Sequence, residues 1–201
     1  MVEIESTPIP VADVVAIEGP AMFVDWGVGG FLSPQHLSAS AWAVIDIVGN
    51  RFRLVEGAAT EILNWLDDLY PESRRLSMPR LSRDLIVVEA AIEPFSSVPT
   101  MLNTGTDGTE FALSAVPDLR GGKHRPVGRG LSGVEISGRV VQDQMLHVGD
   151  ETFEVPTLLV PTARPDPPGV IGMDVLAGSV LAVSPDSTAP VQWYVPNDRT
   201  T

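Results

Sequence analysis

Two separated segments of this sequence carry the residue types that could take part in chemistry. In the first, an apolar strand at residues 98–102 runs into the polar Asn103 and Thr104, and Gly105 then permits a tight turn. The second, residues 170–174, reads Val-Ile-Gly-Met-Asp. An amide at a strand end can only form hydrogen bonds, whereas a carboxylate there could also act as a general base.

Together the two segments resemble the retropepsin-like aspartic proteases, in which an apolar strand runs into Asp-Thr-Gly and a later apolar-apolar-glycine segment passes behind that turn. The resemblance extends over about residues 83–186 and includes the glycine-rich residues 128–138, where the family has its flap. It implies a small barrel-like β fold, a homodimer with one motif from each chain, and hydrolysis of peptide bonds in a peptide or protein substrate.

The resemblance also assigns roles to three residues. Position 103 is the catalytic site, Thr104 is the residue that hydrogen-bonds across the dimer, and Gly105 is the turn that lets the two motifs approach. This sequence has Asn103 where the family has Asp. Two adjacent carboxylates share one proton, so that one acts as base and the other as acid. An amide can do neither, and we expect a chain that is inactive or severely impaired in hydrolysis.

Three explanations of the asparagine stay open. The chain could be a natural pseudoprotease that binds peptides or assembles without cutting, an inactivated variant, or a protein that takes a carboxylate from elsewhere. The third has one lead, because residues 23–30 align with residues 101–108 and place Asp25 against Asn103. This alignment suggests a degenerate half-repeat within residues 1–82, although Trp26 replaces the expected small hydroxyl residue.

The remaining motifs do not favour a cofactor or a metal ion. His36, His124 and His147 lack metal-ligand spacing, and there is no cysteine. The glycines of residues 27–30 are not followed by a helix that could hold a phosphate, and Gly121-Gly122-Lys123 lacks the other residues of a phosphate-binding loop. We therefore expect no bound cofactor and no metal site.

Composition narrows the class of protein. The 201 residues contain 13 Lys and Arg against 26 Asp and Glu, a formal net charge of −13, and 44% of residues are hydrophobic. Such a chain can bury a core, and its charge repels phosphate backbones and anionic lipids. We expect a cytoplasmic protein that binds neither nucleic acid nor membranes.

The elements that must position the motif are mainly β. One amphipathic helix is predicted between Gly57 and Pro71, and residues 72–83 are predicted to be an exposed linker. Beyond it, short apolar strands, among them residues 98–102 and 111–116, alternate with turn signals. The sequence predicts a mainly β, retropepsin-like acid-protease barrel at residues 83–201, preceded by an α+β segment at residues 1–82. The predicted function is that of an aspartic-peptidase-type protein, with a peptide-binding or self-assembly module as the alternative.

Overall fold

The computed structural model describes the backbone of residues 2–4, 7–9, 40–129, 135–161 and 166–197, and the side chains of residues 40–126, 135–161 and 166–197. Within these ranges the strands are β1 (Val2–Ile4), β2 (Thr7–Ile9), β3 (Trp42–Asp46), β4 (Arg51–Val55), β5 (Ser73–Met78), β6 (Val87–Ile92), β7 (Val98–Leu102), β8 (Glu110–Phe111), β9 (Lys123–Arg129), β10 (Glu135–Val148), β11 (Glu151–Pro161), β12 (Gly169–Ile171), β13 (Val180–Val183) and β14 (Val191–Pro196). The helices are α1 (Ala59–Leu69) and α2 (Met173–Leu176). The predicted mainly β fold with one amphipathic helix in its N-terminal part is confirmed.

Seven strands form a sheet that closes on itself. Their order is β11-β8-β12-β7-β6-β10-β9, and β10 also pairs with β11, so six strands complete a ring and β9 extends from β10. The interior of the ring is filled by fully buried side chains that include Ile92, Phe111, Leu146, Leu158 and Ile171. Closure gives each of the six ring strands a neighbour on both sides, whereas β9 stands at the end of the strand order. The result is the barrel-like architecture expected from the sequence.

A strand from late in the chain lies between two strands that are neighbours in sequence. β12 pairs in parallel with β7, so that Ile171 stands opposite Leu102, and it pairs antiparallel with β8, so that Gly169 stands opposite Phe111. The insertion of β12 brings the second motif segment beside the end of β7. It is the feature of the topology that assembles the candidate site.

A second sheet of five strands, ordered β4-β3-β13-β14-β5, covers the barrel. One face contributes Leu181, Val183 and Trp193 to the barrel core, and Trp193 stacks on Phe153 of β11 with ring centroids 4.9 Å apart. The helix α1 packs on the other face through Ile62 and Leu66. Strands from both sides of residue 83 share this sheet, and the division of the chain into residues 1–82 and 83–201 stays a proposal about its organisation.

Two element predictions differ from the structure. The predicted linker at residues 72–83 is wrong, because residues 73–78 form β5, which pairs with β14 along its whole length. The arginines of this segment favoured an exposed linker, although Leu76 and Met78 face the hydrophobic core. The strand predicted at residues 111–116 ends at Phe111, because the N–H of Ala112 donates to Pro168 O and that of Ala115 donates to Ala112 O, which closes a turn.

Candidate functional site

The Asn-Thr-Gly segment forms a corner at the end of β7. The Asn103 N–H donates to Ile171 O at 3.0 Å, which joins the corner to the end of β12. The side-chain oxygen of Asn103 accepts a hydrogen bond from the Gly105 N–H at 2.9 Å, which fixes the amide over the turn. Asn103 is half-buried, whereas Thr104 and Gly105 are exposed. The corner therefore presents a half-buried polar side chain, while the Asn103 N–H is paired with the end of β12.

The second motif segment lies directly against this corner. The Met173 N–H donates to Thr106 O at 2.8 Å, and the Asp174 N–H donates to Asp107 O at 3.0 Å. Gly172 is required by close packing, since a Cβ at that position would lie 2.5 Å from the Gly108 carbonyl oxygen. Two segments that are distant in sequence thus form one rigid unit, as the sequence motifs predict.

Asp174 stabilises the contact between the two motif segments. Its carboxylate accepts hydrogen bonds from the Thr109 N–H at 2.9 Å and from the Thr109 hydroxyl at 2.8 Å. The same hydroxyl oxygen accepts the Gly172 N–H at 3.3 Å. Both carboxylate oxygens are therefore occupied by a structural role, and Asp174 is not placed as an acid or base for a substrate.

The predicted site residues fall into two groups. Asn103, Thr104 and Gly105 lie together at the corner, whereas Asp25 lies outside the described residues. The hydrogen bonds hold Asn103 at the corner, and its amide does not exchange a proton in the accessible pH range. Within the described residues, the nearest carboxylates along the chain are the exposed Asp107 and the half-buried Glu110.

Sequence reasoning missed Glu110. Register places it in one cross-strand row with Val170 and Met101, because Val170 pairs with both of them. This row faces away from the barrel core, since the alternate residues Phe111 and Leu102 point into it. The sequence contains one signal that could have identified it: Glu110 stands between Thr109 and the apolar Phe111, at the start of a short apolar segment.

The electrostatics of Glu110 follow from its surroundings. Burial raises the pKa of the Glu110 carboxyl above its ordinary value of 4.5. No opposing cation contributes to this shift. Glu110 is thus an acidic group held in a partly desolvated position, in the row of Val170 and Met101.

The described residues contain neither a cluster of metal ligands nor a membrane-spanning helix. No three His, Asp or Glu side chains among them come close enough to share a metal ion. His147 lies 3.5 Å from the Glu93 carboxylate and 3.0 Å from the Thr152 hydroxyl. In the same part of the chain, no helix has both the length and the hydropathy of a transmembrane segment.

Comparisons with known proteins found a similarity in structure and none in sequence. Neither protein-family models nor curated protein sequences match this chain. Among solved structures, the chain is similar to a retropepsin-like aspartic protease from Rickettsia conorii, with 12% sequence identity and a TM-score of 0.44. The match covers 62% of this chain and 93% of that one. The assignment of the corner as the candidate site depends on the hydrogen bonds and strand register of this chain itself.

Proposed function

We propose that this chain is an aspartic-peptidase-type protein that binds peptides at the Asn103 corner and, as the sequence stands, hydrolyses them weakly or not at all. One observation carries the proposal. The backbone of Asn103 is hydrogen-bonded to Ile171 at 3.0 Å, and its side-chain oxygen accepts the Gly105 N–H at 2.9 Å, so the polar group is held at an accessible turn.

The loss of hydrolysis follows from the chemistry of the amide. Peptide hydrolysis at such a site needs one ionised carboxylate to activate water and one protonated carboxylate to polarise the scissile carbonyl. Asn103 is neutral and cannot take the proton of the attacking water. General-base catalysis contributes a factor of about 10²–10⁴, and the pair of roles contributes more than either alone. Binding needs no ionisable group, so it survives the substitution.

A second copy of the chain is part of this proposal. One corner supplies half of a two-residue site, and Thr104 and Gly105 are exposed. Between residues 40 and 126, and in the other described ranges, no hydrogen bond of the Thr104 hydroxyl is found, which leaves it able to bond to a partner. An isologous contact would bring two corners together around a two-fold axis.

Restoring the acid tests the proposal. We expect Asn103→Asp to create peptidase activity, or to raise a trace of it by at least about 10², because both acid–base roles return. The measurement is cleavage of a peptide library between pH 4 and pH 7 by the chain and by the variant. Asn64→Asp, on the exposed face of α1, is the matched control and should stay without activity.

The alternative function is a non-catalytic peptide-binding or self-assembly module. It is favoured if Asn103→Asp folds and binds peptides with unchanged affinity yet cleaves none of them. It is rejected if cleavage appears with Asn103→Asp and not with Asn64→Asp. A chain that neither binds nor cleaves any peptide in the library would contradict the peptidase-type function and peptide binding, and would leave self-assembly as the alternative.

A further inference from the structure

Glu110 is a carboxylate without a partner in the residues that the structure describes. It is half-buried on β8, and neither a side-chain hydrogen bond nor an ion pair is found for it there. Its neighbours in register are the apolar Val170 on β12 and Leu159 on β11. An ionised group in such a place is poorly solvated and loses energy unless a cation or a donor approaches it.

Glu110 lies close to the Asn103 corner in the sheet. Glu110, Val170 and Met101 share one cross-strand row, and Ile171, the residue after Val170, accepts the Asn103 N–H at 3.0 Å. The core residues Leu102 and Phe111 point to the opposite side. Glu110 therefore lies near the corner and outside the barrel core.

Sheet spacing gives the distance between the two positions. Glu110 lies two strands across and one pair of residues back from Asn103. With about 4.8 Å between strands and about 3.3 Å per residue, the two Cα atoms are separated by about 12 Å. That is too far for Glu110 to replace the missing acid at position 103. It is within reach of a peptide side chain two to four residues away from the bond that faces Asn103.

We propose that Glu110 is a specificity-determining residue that selects a lysine or arginine side chain in the peptide bound at the Asn103 corner. This inference rests on the proposed function. A basic side chain would pair with the carboxylate and restore the interactions that burial removed. A neutral side chain would leave the charge unpaired, and an acidic one would add repulsion, so the same residue both favours and excludes.

The probe is a set of capped octapeptides of alanine, valine and phenylalanine in which one position at a time carries lysine. Norleucine at the same position provides the same chain length without the charge. Binding to the chain with Asn103 is measured by calorimetry, so cleavage cannot interfere. We expect one or two positions at which the lysine peptide binds about tenfold tighter than the norleucine peptide.

Two variants connect this preference to Glu110. Glu110→Gln keeps the shape and removes the charge, and it should bring the lysine-to-norleucine ratio to about one. Glu154→Gln makes the same change at an exposed position of β11 and should leave the ratio unchanged. Glu110→Lys should transfer the preference to peptides with glutamate at the selected position.

The outcomes separate the inference from the proposed function. Peptides that bind without a preference for lysine, or with a preference that persists in Glu110→Gln, overturn the inference and leave peptide binding intact. Failure of every peptide to bind, in both the lysine and the norleucine form, contradicts the proposed function, and the selection by Glu110 falls with it. A loss of preference in Glu154→Gln would also overturn the inference.

Discussion

The amide of Asn103 accepts a hydrogen bond that a carboxylate in the same place would also accept. The Gly105 N–H donates to its side-chain oxygen, and the geometry of the corner does not require a charge. Glu110 illustrates the opposite case, because the described residues supply no hydrogen bond or ion pair to its carboxylate and burial raises its pKa. At the scale of single residues, the corner thus holds a neutral amide, and Glu110 nearby has no partner among the residues that the structure describes.

The raised pKa of Glu110 makes stability depend on pH. Because the folded carboxyl binds its proton more tightly than the unfolded one, the folded state loses stability as pH rises from the ordinary glutamate pKa of 4.5 through the higher folded pKa. We expect Glu110→Gln to remove this loss, so the variant gains stability relative to the parent chain as pH rises from about 4 to about 7. Urea unfolding across this range measures the difference.

Glu154→Gln is the control for this pH dependence, because the exposed carboxylate of β11 has no burial to relieve. A constant difference in unfolding free energy between the Glu110→Gln variant and the parent chain across the pH range would contradict the desolvation of Glu110. A fall in the stability of the variant relative to the parent chain as pH rises would contradict it as well.

At the scale of elements, α1 shows how the sequence periodicity becomes packing. Its apolar residues recur on one face, and Ile62 and Leu66 are buried against Trp42, Val44 and Tyr194 of the five-stranded sheet. The Tyr194 hydroxyl donates to Asp67 at 3.0 Å, which adds a polar tie at the edge of the same contact. The helix therefore covers the face of the five-stranded sheet that lies away from the barrel core.

Truncation of Leu66 tests this packing. The side chain is 0% exposed, so Leu66→Ala should lower the free energy of unfolding by about 2–5 kcal/mol. Leu69→Ala, in the last turn of the same helix, changes a side chain that is 41% exposed and should cost less than about 1 kcal/mol. Chemical denaturation of both variants gives the comparison. Equal losses for the two would refute the packing of α1 by this face.

At the scale of the whole molecule, two sheets and one helix form layers around shared buried residues. Trp193 connects the five-stranded sheet to the barrel through its stack on Phe153 at 4.9 Å. The corner lies at the barrel surface with Thr104 and Gly105 exposed. The exposure of this corner, together with the proposal that a peptidase-type site needs two such corners, is the reason we propose a second copy of the chain opposite it.

The proposed homodimer can be tested by measuring the mass of the protein in solution. We expect light scattering to report twice the mass of the chain at micromolar concentration. Thr104→Arg introduces a charge at the proposed contact and should shift the protein to the monomer, with at least about a tenfold weaker association. Thr60→Arg, exposed on α1, is the matched control and should keep the dimer. A monomer at high concentration in the unmodified chain would contradict the proposed homodimer.

The sequence by itself determined the elements whose signals are local. The helix at residues 59–69 follows from a 3.6-residue apolar period that ends before Pro71. The hairpin of β10 and β11 follows from Gly149, whose φ of 58° suits a tight turn. The two motifs of the corner could also be identified from the sequence, because each is a short run of consecutive polar, apolar and glycine residues.

Only the tertiary structure decided the features that depend on distant partners. The insertion of β12 between β7 and β8, the pairing of β5 with β14, and the surroundings of Glu110 all come from residues far apart in sequence. Local propensity cannot encode them, because the burial of a side chain is set by what packs against it after folding. For that reason the Asn-Thr-Gly motif could be found from the sequence, whereas the partial burial of Glu110, without a partner among the described residues, could not.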